Sequence, residues 1–459
     1  MGRMQLDQQN FDVLSEKIRI WVSDFQQQLP ERTVALVGDP KLLAQDINLH
    51  SAGTELALRA FVEKIAPGLS ATAGAKYFGF VTGGATPAAL LADWLVAATD
   101  QNVAQGGDSI SSEVELQALN WLLQLFQLPS NFEGVLTTGA TASNILGLLC
   151  GRQYAGAQQG LDIARDGFGG AQITVFSATP HASTQKAMAI AGLGREQITQ
   201  VACLADSEAM DVSALAQRLA ACDSPGKIVI ASAGTVTGTD FDDLVAISAL
   251  CQQHHAWLHV DAAFGLFSRL IAEKLSLTHG IELADSITAD GHKWLNVPYD
   301  CGIFYTRHIE YLQQVCSVAA PYLDVGSGAP AFLDRGIENS RRFRALPVWM
   351  TLYAYGVEGY QEMIANNCAQ ALQLANWVAA SDQYELLSPC NLNVVVFRPR
   401  HCSDTEVKQR LGAINDSGKA FMTPGVWQGK AGIRAAISNW KTTAEDIDQV
   451  CQLLHRLGA

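Results

Sequence analysis

From Gly134 onward the sequence alternates short apolar runs with helix-length segments, and this alternation limits the possible folds more than any other feature. The runs fall at 135–138, 173–177, 227–232, 257–261, 286–289 and 302–305. Each is nearly continuous in apolar residues, so each predicts a strand covered on both faces. Strands of that kind separated by helices build an open, mostly parallel α/β sheet, whose ligands gather outside the carboxyl ends of the strands. Gly139, Asp261 and the segment leading to Lys293 fall at or just beyond such ends, which predicts one shared site.

The flanking regions read differently. Apolar positions at helical period, among them Phe11, Leu14, Ile18, Ile20 and Trp21, are interrupted at Pro30 and Pro40 and predict a helical arm over residues 1–66. Helices expected at 87–98 and 113–128 would cover the sheet of a large domain spanning 67–315. Beyond it come a stretch rich in Gly, Pro and Asp, a helical region at 347–380 and strand-like runs at 393–397 and 433–438. The run Thr443-Ala444-Glu445-Asp446 resembles a capping box with Asp in place of Glu and opens a last helix. Residues 316–459 therefore predict a smaller α+β domain.

With 48% hydrophobic and 17% charged residues the chain is globular. Its net charge of -14 argues against nucleic acid or an anionic membrane as partner, since both demand clustered cations; a small solute is expected. Ten cysteines stand singly with no C-x-x-C, which favours unpaired thiols in a reducing compartment and no metal. Asp7, Asp12, Glu16 and Lys17 interrupt any early apolar run, so the expected location is cytoplasmic.

The chemistry concentrates in a few residues. Asp261 ends the run Ala256-Trp257-Leu258-His259-Val260-Asp261-Ala262-Ala263, and a carboxylate on a buried strand needs a cationic or hydrogen-bonding partner. Lys293 follows in Ala289-Asp290-Gly291-His292-Lys293-Trp294. Pyridoxal phosphate requires this pair of groups: a lysine to hold its aldehyde carbon as a Schiff base, and a carboxylate to keep its pyridine nitrogen protonated. A lysine amine becomes a nucleophile through burial or cationic neighbours, and His292 and Trp294 would provide that setting. The turn from Thr137 to Asn144, with Gly139, Ala140 and Thr141 at its centre, joins a strand to a helix and would cradle a phosphate, or serve as an ordinary cap. His181 follows another strand and would stack on a flat cofactor, or merely open a helix. Thr235 would line the same ring, whereas Asp240, Asp242 and Asp243 fit turn and helix-entry roles. His254, His255 and His259 do not have the spacing of a zinc site.

The ordered set Gly139-Ala140-Thr141, His181, Gly234-Thr235, His259-Val260-Asp261-Ala262-Ala263 and His292-Lys293-Trp294, ending in Asp300-Cys301-Gly302, resembles the group II pyridoxal-phosphate-dependent decarboxylases. These include aromatic-amino-acid, histidine and glutamate decarboxylases, and the likeness runs from about residue 50 to the C-terminus. It implies a fold type I enzyme with a mostly parallel seven-stranded sheet between helices, working as a homodimer with active sites at the interface. It also implies decarboxylation of an L-amino acid to an amine and CO2. By the same resemblance Lys293 would form the Schiff base, Asp261 would pair with the pyridine nitrogen and His181 would stack on the ring. Ala140 and Thr141 would hold the phosphate with His292 beside it, and Thr235 and Ala263 would contact the ring or its 3-hydroxyl side. The segment Tyr77-Phe78-Gly79-Phe80-Val81-Thr82 would place Phe80 and Thr82 near the substrate.

The chain departs from that family at one point. Amine-forming members carry a tyrosine, which protonates the α-carbon, on a loop ahead of an R-R-x-R stretch. Here that stretch is Arg341-Arg342-Phe343-Arg344, residues 324–340 contain no tyrosine, and Phe332 falls near the expected place. Tyr322 or His181 is expected to deliver the proton instead. Without such an acid, the alternatives are oxidative deamination to an aldehyde with ammonia and peroxide, or a different C–C cleavage. A non-catalytic relative acting as an interaction module is the reading of another class. Phe78 and Phe80 favour an apolar or aromatic substrate, with acidic and diamino acids open. Arg434 would bind a carboxylate or pair with an acidic neighbour.

Overall fold

The computed structural model describes residues 2–43, 47, 50–107, 109–317 and 331–458. Its main sheet has seven strands: β1 (Glu133–Thr137), β2 (Ile173–Ser177), β3 (Ile198–Gln200), β4 (Gly226–Ser232), β5 (Ala256–Asp261), β6 (Ser286–Asp290) and β7 (Gly302–Thr306). They lie in the order β1-β7-β6-β5-β4-β2-β3. The block from β3 to β6 is parallel, while β7 runs antiparallel to both β6 and β1. The reversal follows from chain length: a parallel return needs a crossover of a dozen or more residues, and the link from β6 to β7 folds back locally, Gly291 and His292 both donating to the Cys301 carbonyl. All six apolar runs form strands. The edge strand β3 was not foreseen, because three residues reading Ile-Thr-Gln carry no apolar run.

The helix Ala140–Ala157 starts directly after β1 and crosses the sheet against β4, β5, β6 and β7. It can lie so close because Gly147 has no side chain; a Cβ there would sit 2.3 Å from the His259 ring.

A second sheet is antiparallel, ordered β10-β11-β9-β8, from β8 (Tyr384–Leu386), β9 (Val394–Pro399), β10 (Thr423–Trp427) and β11 (Lys430–Ala436). The apolar β9 and β11 were expected. β8 is three residues long and β10 is an edge strand with Pro424 and alternating burial, so neither has a strong sequence signal. The long helix Ala345–Ala380 breaks at Gly356, where φ is 56°. It packs on the helices Pro87–Thr99 and Ser111–Leu125 of the large sheet as well as on β8, β9 and the last helix, Ala444–Gly458. That last helix has the variant capping box: Asp446 accepts from the Thr443 N–H at 3.0 Å, and Thr443 Oγ1 accepts from the Asp446 N–H at 3.2 Å. Two separate buried clusters result, one around the large sheet and one joining Phe78, Leu374, Phe397, Ile433 and Leu454.

The N-terminal helices Arg3–Gln9, Phe11–Gln28 and Thr54–Ala60 leave apolar surface uncovered. Phe11 and Val13 are each 58% exposed, and Leu14 is the buried residue of its helix. Among the described residues no helix is long and apolar enough to cross a membrane.

Candidate active site

A cavity of about 360 Å³ opens beyond the carboxyl ends of β4 and β5. It brings together Phe80, Ala140, His181, Thr235, Asp261, Ala263 and Lys293, with Phe264 and Arg434 beside them. Gly139, Thr141, His292 and Thr82 are not on its wall. Tyr322 lies outside the described residues.

Lys293 is positioned by a single helical turn. β6 ends at Asp290, and the short helix Gly291–Trp294 brings Lys293 back over it, with Nζ 3.1 Å from Asp290 Oδ2. Beside the His292 and Trp294 neighbours expected from the sequence, the amine therefore has a carboxylate next to it, because residues three apart face each other on a helix. Asp290 is buried, and its Oδ1 has no hydrogen-bond partner. His292 Nε2 lies 3.6 Å from the same carboxylate. Burial lowers the His292 pKa against the pull of Asp290, and its Nδ1 accepts from the Cys301 N–H at 3.3 Å. The His292 ring stacks on Tyr299 with centroids 4.4 Å apart, and the Tyr299 hydroxyl is 3.1 Å from Thr82 Oγ1. Tyr299, which the sequence did not single out, therefore ties the expected substrate segment to the expected phosphate side.

The turn after β1 has the donor set of an anion cradle. Gly139 has φ 143°, a region that favours glycine, and a Cβ there would come within 3.1 Å of the His292 ring. The N–H groups at the start of the 18-residue helix Ala140–Ala157 have no carbonyl within the helix to bond.

Asp261 is held on both sides. Its Oδ2 accepts from Asn144 Nδ2 at 2.9 Å, and its Oδ1 accepts from the Ala263 N–H at 3.2 Å. Asn144 lies on the helix crossing β5, five residues beyond Gly139; its position on that face was the available signal, and it was missed. His181 opens a helix and also lines the cavity. Its Nδ1 caps the helix Ala182–Ile190 by accepting from the Ser183 N–H at 3.1 Å, and its ring is open to the cleft. Surrounding protein nevertheless lowers its pKa by burial, opposed by the Asp261 charge.

The other candidates separate into lining and scaffold. Thr235 lines the cavity, while its Oγ1 accepts from the Asp240 N–H at 2.9 Å. Asp240, Asp242 and Asp243 accept from backbone N–H groups, which accounts for them as turn and cap residues. The arginine stretch is also structural. Arg341 pairs with buried Glu115 at 2.7 Å, Arg342 with Asp93 at 2.8 Å and Arg344 with Asp300 at 2.7 Å. Phe332 is fully buried, with the Arg341 guanidinium 5.2 Å from its ring centre, so it anchors the core.

A strand-end lysine, a hydrogen-bonded strand-end carboxylate and a glycine turn opening a helix are together the donor set for a phosphorylated pyridine aldehyde. Residues 13–400 match the pyridoxal-dependent decarboxylase conserved domain. The chain is 29% identical to an aromatic-L-amino-acid decarboxylase of Bacillus atrophaeus, over 76% of this chain and 73% of that protein. It is 31% identical to an L-2,4-diaminobutyrate decarboxylase of Rhizobium meliloti (strain 1021), over 79% of this chain and 73% of that protein. The solved structure of Oryza sativa TDC with PLP and tryptamine shares the fold, with a TM-score of 0.92 at 23% identity over 98% of both chains. The fold is that of the type I pyridoxal-phosphate enzymes. The chain belongs to the pyridoxal-dependent decarboxylase family. Its cofactor is pyridoxal 5'-phosphate, and it decarboxylates an amino acid, which makes it a carbon–carbon lyase.

Proposed function

We propose that the cavity holds the cofactor with Lys293 at the aldehyde carbon, Asp261 at the pyridine nitrogen and His181 against the ring face. Gly139, Ala140, Thr141 and His292 surround the phosphate, and Thr235 and Ala263 lie alongside the ring. The observation that carries this assignment is the convergence of Lys293, Asp261 and His181 on one cavity from three different strand ends. When bound, the cofactor supplies an electron sink for the pair released as CO2 leaves. Asp261, with both oxygens engaged by N–H donors, presents its remaining lone pairs in a fixed direction. Lys293 Nζ and Asp290 Oδ2 are close enough to share a proton. His181 Nδ1 is an acceptor, so the neutral ring carries its proton on Nε2, where it can be handed to the substrate α-carbon. Tyr322 is the other candidate for that step.

Arg434 gives the substrate its orientation. Its side chain is buried, its Nε donates to the Val236 carbonyl, and its Nη2 has no hydrogen-bond partner. Burial lowers its pKa to about 10, so it is still a cation at neutral pH. A buried guanidinium with a vacant donor is a receptor for the substrate carboxylate. Phe80, Phe264 and Val236 form an apolar wall around it, which favours an apolar or aromatic side chain.

We further assign residues 1–66, 67–315 and 316–459 to arm, large domain and small domain; the second buried cluster, which apart from Phe78 draws on residues beyond 370, supports a separate C-terminal unit. Two copies associate through the exposed apolar face of the arm, with the active sites at their interface, in the cytoplasm. Ten unpaired cysteines suit that compartment.

The test is to titrate the protein with pyridoxal phosphate and then supply a panel of free amino acids, measuring CO2, amine and peroxide together. An absorption band lost in Lys293→Ala and amine equal to CO2 are expected. Peroxide equal to CO2 would replace amine formation by oxidative deamination, and a protein that stays colourless would leave the interaction module. Sedimentation of Phe11→Glu should show monomers where the parent chain shows dimers.

A further inference from the structure

We propose that Asn144 is a positioning residue whose one side-chain amide sets both Asp261 and His181, with His259 behind it holding the amide in its working orientation. The inference rests on the assignment of Asp261 to the ring nitrogen. Asn144 Nδ2 donates to Asp261 Oδ2 at 2.9 Å and to Ser183 Oγ at 3.1 Å. Ser183 Oγ lies in turn 2.7 Å from His181 Nδ1. The edge of the cofactor and its stacked face are therefore governed from a single group.

The protons of this network can be placed by elimination. Asp261 as a carboxylate only accepts, so the NH2 of Asn144 faces it and Asn144 Oδ1 faces the other way. Oδ1 is 3.0 Å from His259 Nε2, which must therefore carry a hydrogen. Burial lowers the His259 pKa to about 4, so the ring is neutral and Nδ1 is bare. Ser286 Oγ, 2.8 Å from Nδ1, donates its hydrogen there and accepts from Trp257 Nε1 at 3.0 Å. From Trp257 to His181 each donor meets an acceptor.

The network is built into the fold. Trp257, Ser286, His259 and Asn144 are all buried, and none lies on the cavity wall. Gly147 provides a separate observation. Glycine is disfavoured inside a helix, yet a Cβ at this position would meet the His259 ring at 2.3 Å, so its absence is what admits the imidazole.

Two measurements test the proposal. The first uses the apoprotein: imidazole 15N shifts should show His259 protonated at Nε2 and bare at Nδ1. The opposite tautomer would turn the Asn144 oxygen toward Asp261 and overturn the inference. The second compares Asn144→Leu and the milder Ser286→Ala with Asp261→Ala. Loss of a hydrogen bond to a charged group predicts a cofactor dissociation constant raised on the order of tenfold or more for Asn144→Leu, with a smaller rise for Ser286→Ala. Both should lower kcat and keep KM within about twofold, since neither residue touches the substrate. If Asn144→Leu and Ser286→Ala bind the cofactor as the parent does while Asp261→Ala does not, the positioning role fails. If Asp261→Ala also binds and reacts normally, the ring-nitrogen assignment itself fails.

Discussion

The two sides of the cavity are built on opposite plans. Where β5 meets the helix Ala140–Ala157, the polar groups of Trp257, Ser286, His259, Asn144 and Ser183 are buried and mutually bonded before any ligand arrives. On the other side the chain is strained and incompletely bonded. Phe80 and Val81 have φ of 57° and 59°, the Phe80 ring is 63% exposed, and Arg434 Nη2 is buried without a partner. The first side resembles a finished core; the second keeps donors and backbone strain that a ligand can satisfy. A cofactor that stays bound suits a rigid seat, and a substrate that must enter and leave suits the unfinished wall.

Two substitutions should break this contrast most visibly. Arg434→Met removes the vacant donor, so KM should rise by about 10- to 100-fold, the equivalent of roughly 1.5–3 kcal/mol. Its urea midpoint should hold or increase, because an unpaired buried guanidinium costs stability. A lowered midpoint with unchanged KM would make Arg434 part of the scaffold. Gly147→Ala should act in the opposite sense. Its methyl would overlap the His259 ring, costing about 1–3 kcal/mol of stability and weakening cofactor binding with KM unchanged. Denaturant titration and cofactor titration of the same preparations would read both.

How much of this was legible follows from the kind of signal each region carries. The apolar runs that became β1, β2, β4, β5, β6 and β7 were visible because two-sided burial forces continuous Val, Ile and Leu. Asp261 and Lys293 stood out because each is polar chemistry set against an apolar strand. Asn144, Tyr299 and Ser286 did not, since a side chain that acts by touching another across the fold leaves no local pattern. Asn144 and Asp261 are 117 positions apart and meet at 2.9 Å. His259 was discounted as a zinc ligand but not recognised as a brace. Asp290 as the partner of Lys293 was not legible either, because the turn that brings the two together is only visible once the helix is placed. The edge strands β3, β8 and β10 were too short or too polar to announce themselves.

A pH measurement sharpens the comparison further, since a fully bonded seat need not be electrically indifferent. His259 has its pKa lowered to about 4 from 6.5. Between those values the unfolded chain binds a proton that the native chain refuses, so stability present above pH 6.5 is lost on acidification toward pH 4. Asp242, whose side chain accepts from the N–H of Ser232 at the end of β4, has its pKa raised by burial from 3.8 to about 6. There the native chain keeps a proton that the unfolded chain has released, so its contribution falls as pH rises from 4 to 6. The two slopes oppose each other. Asp242→Asn should therefore steepen the loss of stability between pH 6 and pH 4, by an amount on the order of 1–2 kcal/mol across the window. An unchanged slope in urea midpoints taken across that range would mean that Asp242 ionises in the folded chain as it does in the unfolded one.

The smallest expected effect concerns the strained wall itself. Phe80 and Val81 occupy a left-handed region that disfavours residues with a Cβ, at a cost of order 1 kcal/mol each. What holds them there lies on either side. Phe78 is buried, donates to the Phe421 carbonyl at 2.9 Å and accepts from the Ala436 N–H at 2.9 Å, and Thr82 donates to the Gly79 carbonyl at 3.0 Å. The Phe80 ring itself is held only loosely, tilted 6.2 Å from the Phe421 ring. Phe80→Gly removes local strain, gives the unfolded chain more freedom and loses little buried surface. These terms nearly cancel, so the urea midpoint should stay within about 0.5–1 kcal/mol of the parent. KM for aromatic amino acids should rise at the same time, because the ring that closes over the side chain is gone. A stability loss of about 2 kcal/mol or more with unchanged KM would place Phe80 among the core residues, and the strained wall would then belong to the scaffold.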